Sequence, residues 1–313
     1  MPADEIGQVL DRVIGRLHLR VHPDVQRLEQ QALAWFEALD LPGLSPACRA
    51  RLHSSELGTA VGALFPSADY AALLWWSKFT YWNLAFDDAY AEDNAAADLV
   101  GFFQQAGRVW LASHDTPAPE PSGSAFAAVL RDLLGELDLL VCYTVAIRVR
   151  QALRDYLFAA AWEATALLAE QRPDLETYRS FRRHVQLQLI NIEFVEHLPG
   201  LTLTGPERQD SRVCAIRALA SDISNHINDL CSLPLEFAAG RGVMPITGFG
   251  EHKLDQYLGE LRGQCLERVE ALQNLKTATA VDPKLHSYCT AVCQWVAGVA
   301  WWHERARSHR YSG

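Results

Sequence analysis

The chain has 313 residues, a formal net charge of −10, and a composition that is 49% hydrophobic, 10% aromatic and 21% charged. That balance excludes disordered, collagenous and disulfide-scaffold proteins and is sufficient for one large core or two modest ones. With 28 basic against 38 acidic residues, the surface is unsuited to a nucleic-acid backbone or an anionic lipid face, so any anionic ligand has to be held locally.

In chain order, the first twenty residues lack an apolar signal-type run and carry charges of both signs, among them Asp4, Glu5, Asp11 and Arg12. The longest apolar stretches, 71–76 and 139–147, fall short of the ~20 residues of a membrane span. The seven cysteines include no C-x-x-C pair, and Cys289 and Cys293 stand one helical turn apart, which suits reduced thiols. A soluble, cytoplasmic protein is expected. Apolar residues recur at helical spacing, as in Leu28, Ala32, Trp35, Phe36 and Leu39, and strand-like alternation is scarce. The chain therefore reads as all-α. Turn-forming residues collect at 41–45, 115–124, 198–206, 240–250 and 281–283; none is long enough to be a domain linker, although 115–124 reads as a mobile surface loop. The expectation is one domain over 1–313, a single bundle of about ten helices or more. No Walker loop, nucleotide-binding glycine pattern, HExxH or DxDD is present, and Glu193, Glu196 and His197 lack a second histidine.

A helix starting near Tyr70 ends in Phe86-Asp87-Asp88-Ala89-Tyr90-Ala91-Glu92-Asp93. Carboxylates so close repel one another unless a cation sits between them. Asp88 and Glu92 are one turn apart and Asp87 lies about 100° round from Asp88, so the cluster offers oxygens to more than one hard cation such as Mg²⁺. By itself it equally reads as a solvated acidic helix end. On a wheel centred on Asp87, Thr80 lies about 20° away, Trp76 about −20°, Asn83 about −40° and Phe79 about −80°. Asp88 is off that stripe and placed to brace a neighbouring basic side chain.

The second cluster is Asn228-Asp229-Leu230-Cys231-Ser232-Leu233-Pro234-Leu235-Glu236. Asn228, Ser232 and Glu236 recur every four residues, each displaced by about 40°, so three oxygens line one stripe. Taken alone, three polar residues at ordinary helix spacing would read the same way.

The two clusters occur together, in this order, in an all-α chain of this length, and the chain resembles the bacterial class I terpene synthases. Tyr178 precedes Arg182 by four residues and Arg182 precedes Asn228 by 46, which matches the family's diphosphate-sensing arginine. Arg310-Tyr311 matches its C-terminal diphosphate clamp, and His22-Pro23 followed by Trp35 looks like its opening. The resemblance runs from about residue 18 to 311. It implies a helical bundle of the class I terpenoid synthase type with a central cavity. The implied activity is Mg²⁺-dependent ionisation and cyclisation of a prenyl diphosphate with release of pyrophosphate. Three metal ions are implied, with Asp87, Glu92, Asn228, Ser232 and Glu236 as ligands. Asp87, Asp88, Arg182, Arg310 and Tyr311 carry the catalytic roles, and Trp76, Phe79, Thr80, Asn83 and Leu84 line the pocket. Farnesyl diphosphate is the substrate expected on family frequency, with geranylgeranyl and geranyl diphosphate as alternatives. A monomer or homodimer, without nucleic-acid or membrane partners, is expected.

Four departures from the family pattern are visible. Leu235 stands where a diphosphate-binding Lys or Arg is usual, and Pro234 before it predicts a kink ahead of Glu236. Val185-Gln186-Leu187 replaces the usual small residue after the sensor, so no effector residue is assigned. Leu84 and Asn83 occupy positions where the family has aromatics, which predicts an unusual pocket floor. Two other classes compete. A chain-elongating prenyl diphosphate synthase would carry a second Asp-rich motif in place of Asn228 to Glu236. A non-catalytic terpenoid-binding relative would bind without releasing pyrophosphate.

Overall fold

The computed structural model describes residues 3–91, 94, 97–114, 123–169, 173–185, 188–198, 200–238 and 251–306. Glu92, Asp93, Gln186, Leu187, Arg241, Arg310 and Tyr311 lie outside the described residues, as do most of the 115–124 and 240–250 stretches.

Among the described residues there are fourteen α-helices, one short 3₁₀ turn and no strand. In chain order the helices are α1 (Ala3–Leu17), α2 (Val25–Glu37), α3 (Pro46–His53), α4 (Leu57–Leu64), α5 (Tyr70–Tyr90), α6 (Leu99–Ala112) and α7 (Ala125–Leu140). There follow α8 (Tyr143–Leu168), α9 (Leu175–Val185), α10 (Gln188–Val195), α11 (Gly205–Arg208), α12 (Ser211–Ala238), α13 (Glu251–Ala278) and α14 (Pro283–Ala306). Helix starts are set locally. Ser45 accepts from the Cys48 N–H with Pro46 in the first turn, Asp98 accepts from Gly101, and Ser124 accepts from Ala127. Each cap satisfies an amide that the helix itself leaves without a partner. At the short α11, Thr204 and Glu207 form a reciprocal capping box.

Helix α5 is apolar nearly all round because it is covered on three sides. Its Trp75 and Trp82 indoles donate to the carbonyls of Leu133 and Phe126 on α7, at 2.6 and 2.9 Å. On a second side Tyr81 stacks on Phe36 at 5.0 Å and donates to Glu29 on α2 at 2.7 Å. The third side carries Trp76, Thr80, Asn83 and Asp87, and its contacts run to α10 and α8: Trp76 Nε1 donates to Asn191 Oδ1 at 2.9 Å, and Tyr156 donates to Asp87 Oδ1 at 2.7 Å. The stripe derived from the wheel is therefore the inward face. Every indole N–H on this helix has an acceptor, so the large apolar burial carries no unpaired donor from these rings.

The C-terminal α14 closes against α4 and the segment between α1 and α2. Buried Gln294 exchanges hydrogen bonds with the Arg20 backbone and donates to Ala63 O at 3.0 Å. At Gly298 the backbone of Ala63 comes so near that an added Cβ would sit 2.6 Å from its carbonyl oxygen. A glycine there permits the close helix approach.

Behind α10 lies a buried charge cluster. Arg148 pairs with Glu193 and Glu196 at 2.6 Å each, and Arg208 and Arg217 pair with both carboxylates as well. Burial opposes ionisation of Glu193, but Arg208 and Arg217 overcome it and lower its pKa to about 2. These carboxylates thus tie α8, α10, α11 and α12 together and are not positioned as metal ligands. All seven cysteines are free thiols. No described helix is long and apolar enough to cross a membrane.

Candidate active site

The site draws on five helices, α5, α8, α9, α12 and α14. From α5 comes Asp87, whose carboxylate is oriented by the Tyr156 hydroxyl of α8. Its neighbour Asp88 points the other way. Asp88 is buried and paired with Arg51 of α3 at 2.8 Å, while its carbonyl accepts from Asn94 at 2.9 Å. Consecutive aspartates are about 100° apart on a helix, so one can face the interior only if the other faces a neighbouring helix.

Helix α12 continues unbroken as helix from Ser211 to Ala238 through Pro234. The missing proline N–H costs one ladder hydrogen bond, and the burial of Cys231 and Leu233 holds the segment in place. The helix is not interrupted at Pro234, and the Glu236 carboxylate reaches far enough to act electrostatically on both Arg182 and Tyr178. Ser232 Oγ is buried and has no hydrogen-bond partner among the described residues.

Arg182 of α9 meets this helix directly. Its Nε donates to Asp229 Oδ1 at 2.9 Å and a terminal nitrogen donates to Asn228 Oδ1 at 2.8 Å. Burial alone would lower the Arg182 pKa, but Asp229, with Tyr178, Glu163 and Glu236, outweighs it and holds the guanidinium charged. Burial raises the Asp229 pKa against the opposing pull of Arg182. Tyr178 Oη lies 3.4 Å from Asp229 Oδ1, and its ring sits under the guanidinium at 5.9 Å. The adjacent Arg183 turns outward to Asp222 at 2.8 Å, so the arginine that reaches the Asn228 motif is Arg182. Asn228 is also approached from α14, where His303 Nε2 lies 3.4 Å from its Nδ2.

The pocket candidates fall into two groups. Thr80 retains 9% exposure and Leu84 is half-buried. Trp76, Phe79 and Asn83 are at most 1% exposed. Phe79 stacks against both Trp75 and Trp76 at 5.3 and 5.5 Å, and Trp76 packs face to face with Phe194 of α10 at 4.3 Å. Phe194 was not singled out from the sequence. Nor were Tyr156, Glu163 and His303, because each acts on a residue far away in the chain.

No three His, Cys, Asp or Glu side chains among the described residues are grouped to hold a metal. The α12 donors are instead an amide, a hydroxyl and a carboxylate, all oxygen, which suits a hard cation such as Mg²⁺ and not a thiolate- or imidazole-seeking one. The unpartnered Ser232 hydroxyl fits that use. An all-helical fold with an acidic helix end, an Asn/Ser/Glu stripe and a buried guanidinium against it fits a class I terpenoid synthase.

Residues 78–246 match the family described as terpene synthase family 2, C-terminal metal binding, and the chain belongs to that family. A (12E)-labda-8(17),12,14-triene synthase from Streptomyces cyslabdanicus is 28% identical over 83% of this chain and 80% of its own length. A 4-epi-cubebol synthase from Streptosporangium roseum, whose name gives (2E,6E)-farnesyl diphosphate as the molecule cyclised, is 26% identical over 89% and 85%. Among solved structures, 2-methylisoborneol synthase from Streptomyces coelicolor A3(2), in complex with Mg²⁺ and 2-fluoroneryl diphosphate, superposes with a TM-score of 0.77. It is 20% identical and the match covers 94% of this chain and 97% of that one. A point variant of cucumene synthase gives the same TM-score of 0.77 at 21% identity, covering 94% and 98%. The resemblance read from the motifs is thus borne out, and the protein is an enzyme of the terpene synthase class, a lyase.

Proposed function

We propose that this chain, acting as one catalytic domain over residues 1–313, ionises and cyclises a linear prenyl diphosphate with release of pyrophosphate, farnesyl diphosphate being the first candidate. The observation that carries the reading is the meeting of Arg182 with Asn228 and Asp229, the first two 46 residues apart in sequence and bonded in space. A guanidinium kept charged in a buried setting is a diphosphate receptor, since it offers a rigid fork of donors to phosphate oxygens. Asp87, Asn228, Ser232 and Glu236 would hold Mg²⁺, which when bound stabilises the negative charge developing on the leaving diphosphate. Glu92, Arg310 and Tyr311 are assigned supporting roles in the metal site and clamp on the strength of their motifs.

The remaining work falls to the chain's own residues. Arg182 orients the diphosphate and stabilises its departure. The Trp76 and Phe194 wall excludes water that would quench a carbocation early, and aromatic faces stabilise cations by ~0.5–2 kcal/mol each without acting as nucleophiles. Asp88 acts through Arg51, holding the end of α5 in register.

A second reading is a diterpene synthase, favoured by the relative that makes a labdane triene. Incubation with farnesyl, geranylgeranyl and geranyl diphosphate, and with a diphosphate that already carries the labdane rings, in the presence of Mg²⁺, tests both. Product mass spectra assign the substrate; EDTA should abolish pyrophosphate release and added Mg²⁺ restore it. Binding of these compounds without pyrophosphate release would identify a non-catalytic relative and sink the proposal.

A further inference from the structure

We infer that His303 is a positioning residue that sets the orientation of the Asn228 amide, keeping its oxygen toward the metal and diphosphate. The inference rests on the reading of the site as a metal and diphosphate centre. It starts from a property of asparagine: the amide oxygen and nitrogen are nearly the same size, so packing alone does not choose which end faces a cation. Only hydrogen-bond partners do.

Those partners are present and agree. His303 is 4% exposed, and its Nδ1 lies 2.8 Å from the carbonyl oxygen of Val299 one turn earlier on α14. A carbonyl only accepts, so Nδ1 carries the proton, and in the neutral ring Nε2 is left as an acceptor. The atom facing it at 3.4 Å is therefore the donor Nδ2 of Asn228. From the opposite side Arg182, which only donates, faces Oδ1 of the same amide at 2.8 Å. Two independent arguments assign the same orientation. The ring itself is steadied by the edge-on Trp302 at 4.8 Å, whose indole donates to Ser55 O at 2.9 Å.

The two holders have different fates. When Arg182 turns to a diphosphate it releases Oδ1, while His303 keeps Nδ2. The amide then presents oxygen to the hard cation. Without His303 the amide loses the acceptor that holds its NH₂ end, which favours the orientation that places NH₂ there, against the charge.

The test uses the full-length protein with Mn²⁺ and inorganic pyrophosphate, Mn²⁺ binding being read by electron paramagnetic resonance so that no turnover is needed. His303→Phe keeps a ring in place but removes the acceptor; His303→Gln restores an acceptor near the Nε2 position. The Phe variant should bind Mn²⁺ ~10- to 100-fold more weakly, the Gln variant should recover most of that loss, and metal-free pyrophosphate binding should be unchanged in both. Equal Mn²⁺ affinity in wild type and the Phe variant would overturn the inference alone, as would a Gln variant no better than the Phe variant. If the wild type with pyrophosphate binds no Mn²⁺, the reading of the whole site fails and this inference with it. Circular dichroism of each variant separates loss of the site from loss of the fold.

Discussion

Arg182 and Asn228 are hydrogen-bonded at 2.8 Å, so the guanidinium proposed to receive diphosphate and the amide proposed to ligate a metal are in direct contact. The same oxygen cannot accept from Arg182 and ligate a cation with full strength. On the proposed reading diphosphate and metal binding are coupled, because an anion that drew Arg182 away would also release the amide oxygen.

Arg182→Ala is accordingly expected to weaken pyrophosphate binding by ~10- to 100-fold, the loss of a charge-assisted hydrogen bond of ~1.5–3 kcal/mol. Arg183→Ala, which loses an outward pair with Asp222, should stay within a few-fold of wild type. Titration calorimetry with pyrophosphate and Mg²⁺ decides; a larger loss at Arg183 would move the sensor by one residue.

The hydrogen bond from Tyr156 to Asp87 separates orientation from ligation. Asp87→Asn removes a charged oxygen ligand and should lower turnover by far more than Tyr156→Phe, which leaves the carboxylate in place and is expected to cost ~10-fold. Asp93→Asn should have little effect. Comparing kcat and the Mg²⁺ dependence of the three variants checks the order, and an Asp87→Asn enzyme as active as the Asp93→Asn one would mean that the metal face lies elsewhere.

Because α12 stays helical through Pro234, the position before Glu236 can be tested as a diphosphate contact. The double change Pro234→Glu with Leu235→Lys restores a backbone donor and adds a cation where the chain has none. Pyrophosphate affinity should rise by up to ~10-fold. An unchanged affinity in a normally folded variant would show that residue 235 faces away from the anion.

Acid stability should depend on the cluster behind α10. The folded-state pKa of Glu193 is depressed to about 2 from 4.5. Its contribution is therefore present in full above pH 4.5 and is lost as the pH falls toward 2, when the unfolded chain takes up the proton first. The shift corresponds to ~3 kcal/mol at neutral pH. Thermal melts from pH ~7 down to ~2.5 should show a steep fall over that window for the wild type. Glu193→Gln should be less stable at neutral pH and show a shallower fall. An identical pH profile for the two proteins would remove Glu193 from the account.

Much of the site was legible in the linear chain because helix geometry is local. Asp87, Asn83, Thr80 and Trp76 share a face by their spacing alone, and α5, read as starting near Tyr70 and ending in the Asp-rich motif, runs from Tyr70 to Tyr90. Asn228, Ser232 and Glu236 align for the same reason, and the brace role of Asp88 followed from its angle to Asp87. Pro234 shows what a lone sequence leaves open: its lost hydrogen bond is weighed there against nothing, whereas in the folded chain the neighbours Cys231 and Leu233 are buried and the helix runs on to Ala238.

By itself the sequence determined the all-α class, the helical stripes, the order of the motifs and the choice of hard oxygen donors, all properties of neighbours within a few turns. The tertiary structure alone decided which partners those stripes meet. Tyr156 reaches Asp87 across 69 residues, His303 reaches Asn228 across 75, and Phe194 of α10 joins the α5 rings in covering Trp76. Spacing along one helix sets the direction of a side chain to within tens of degrees, but a hydrogen bond needs a partner placed within a few tenths of an ångström. Only the packing of whole helices against one another supplies that.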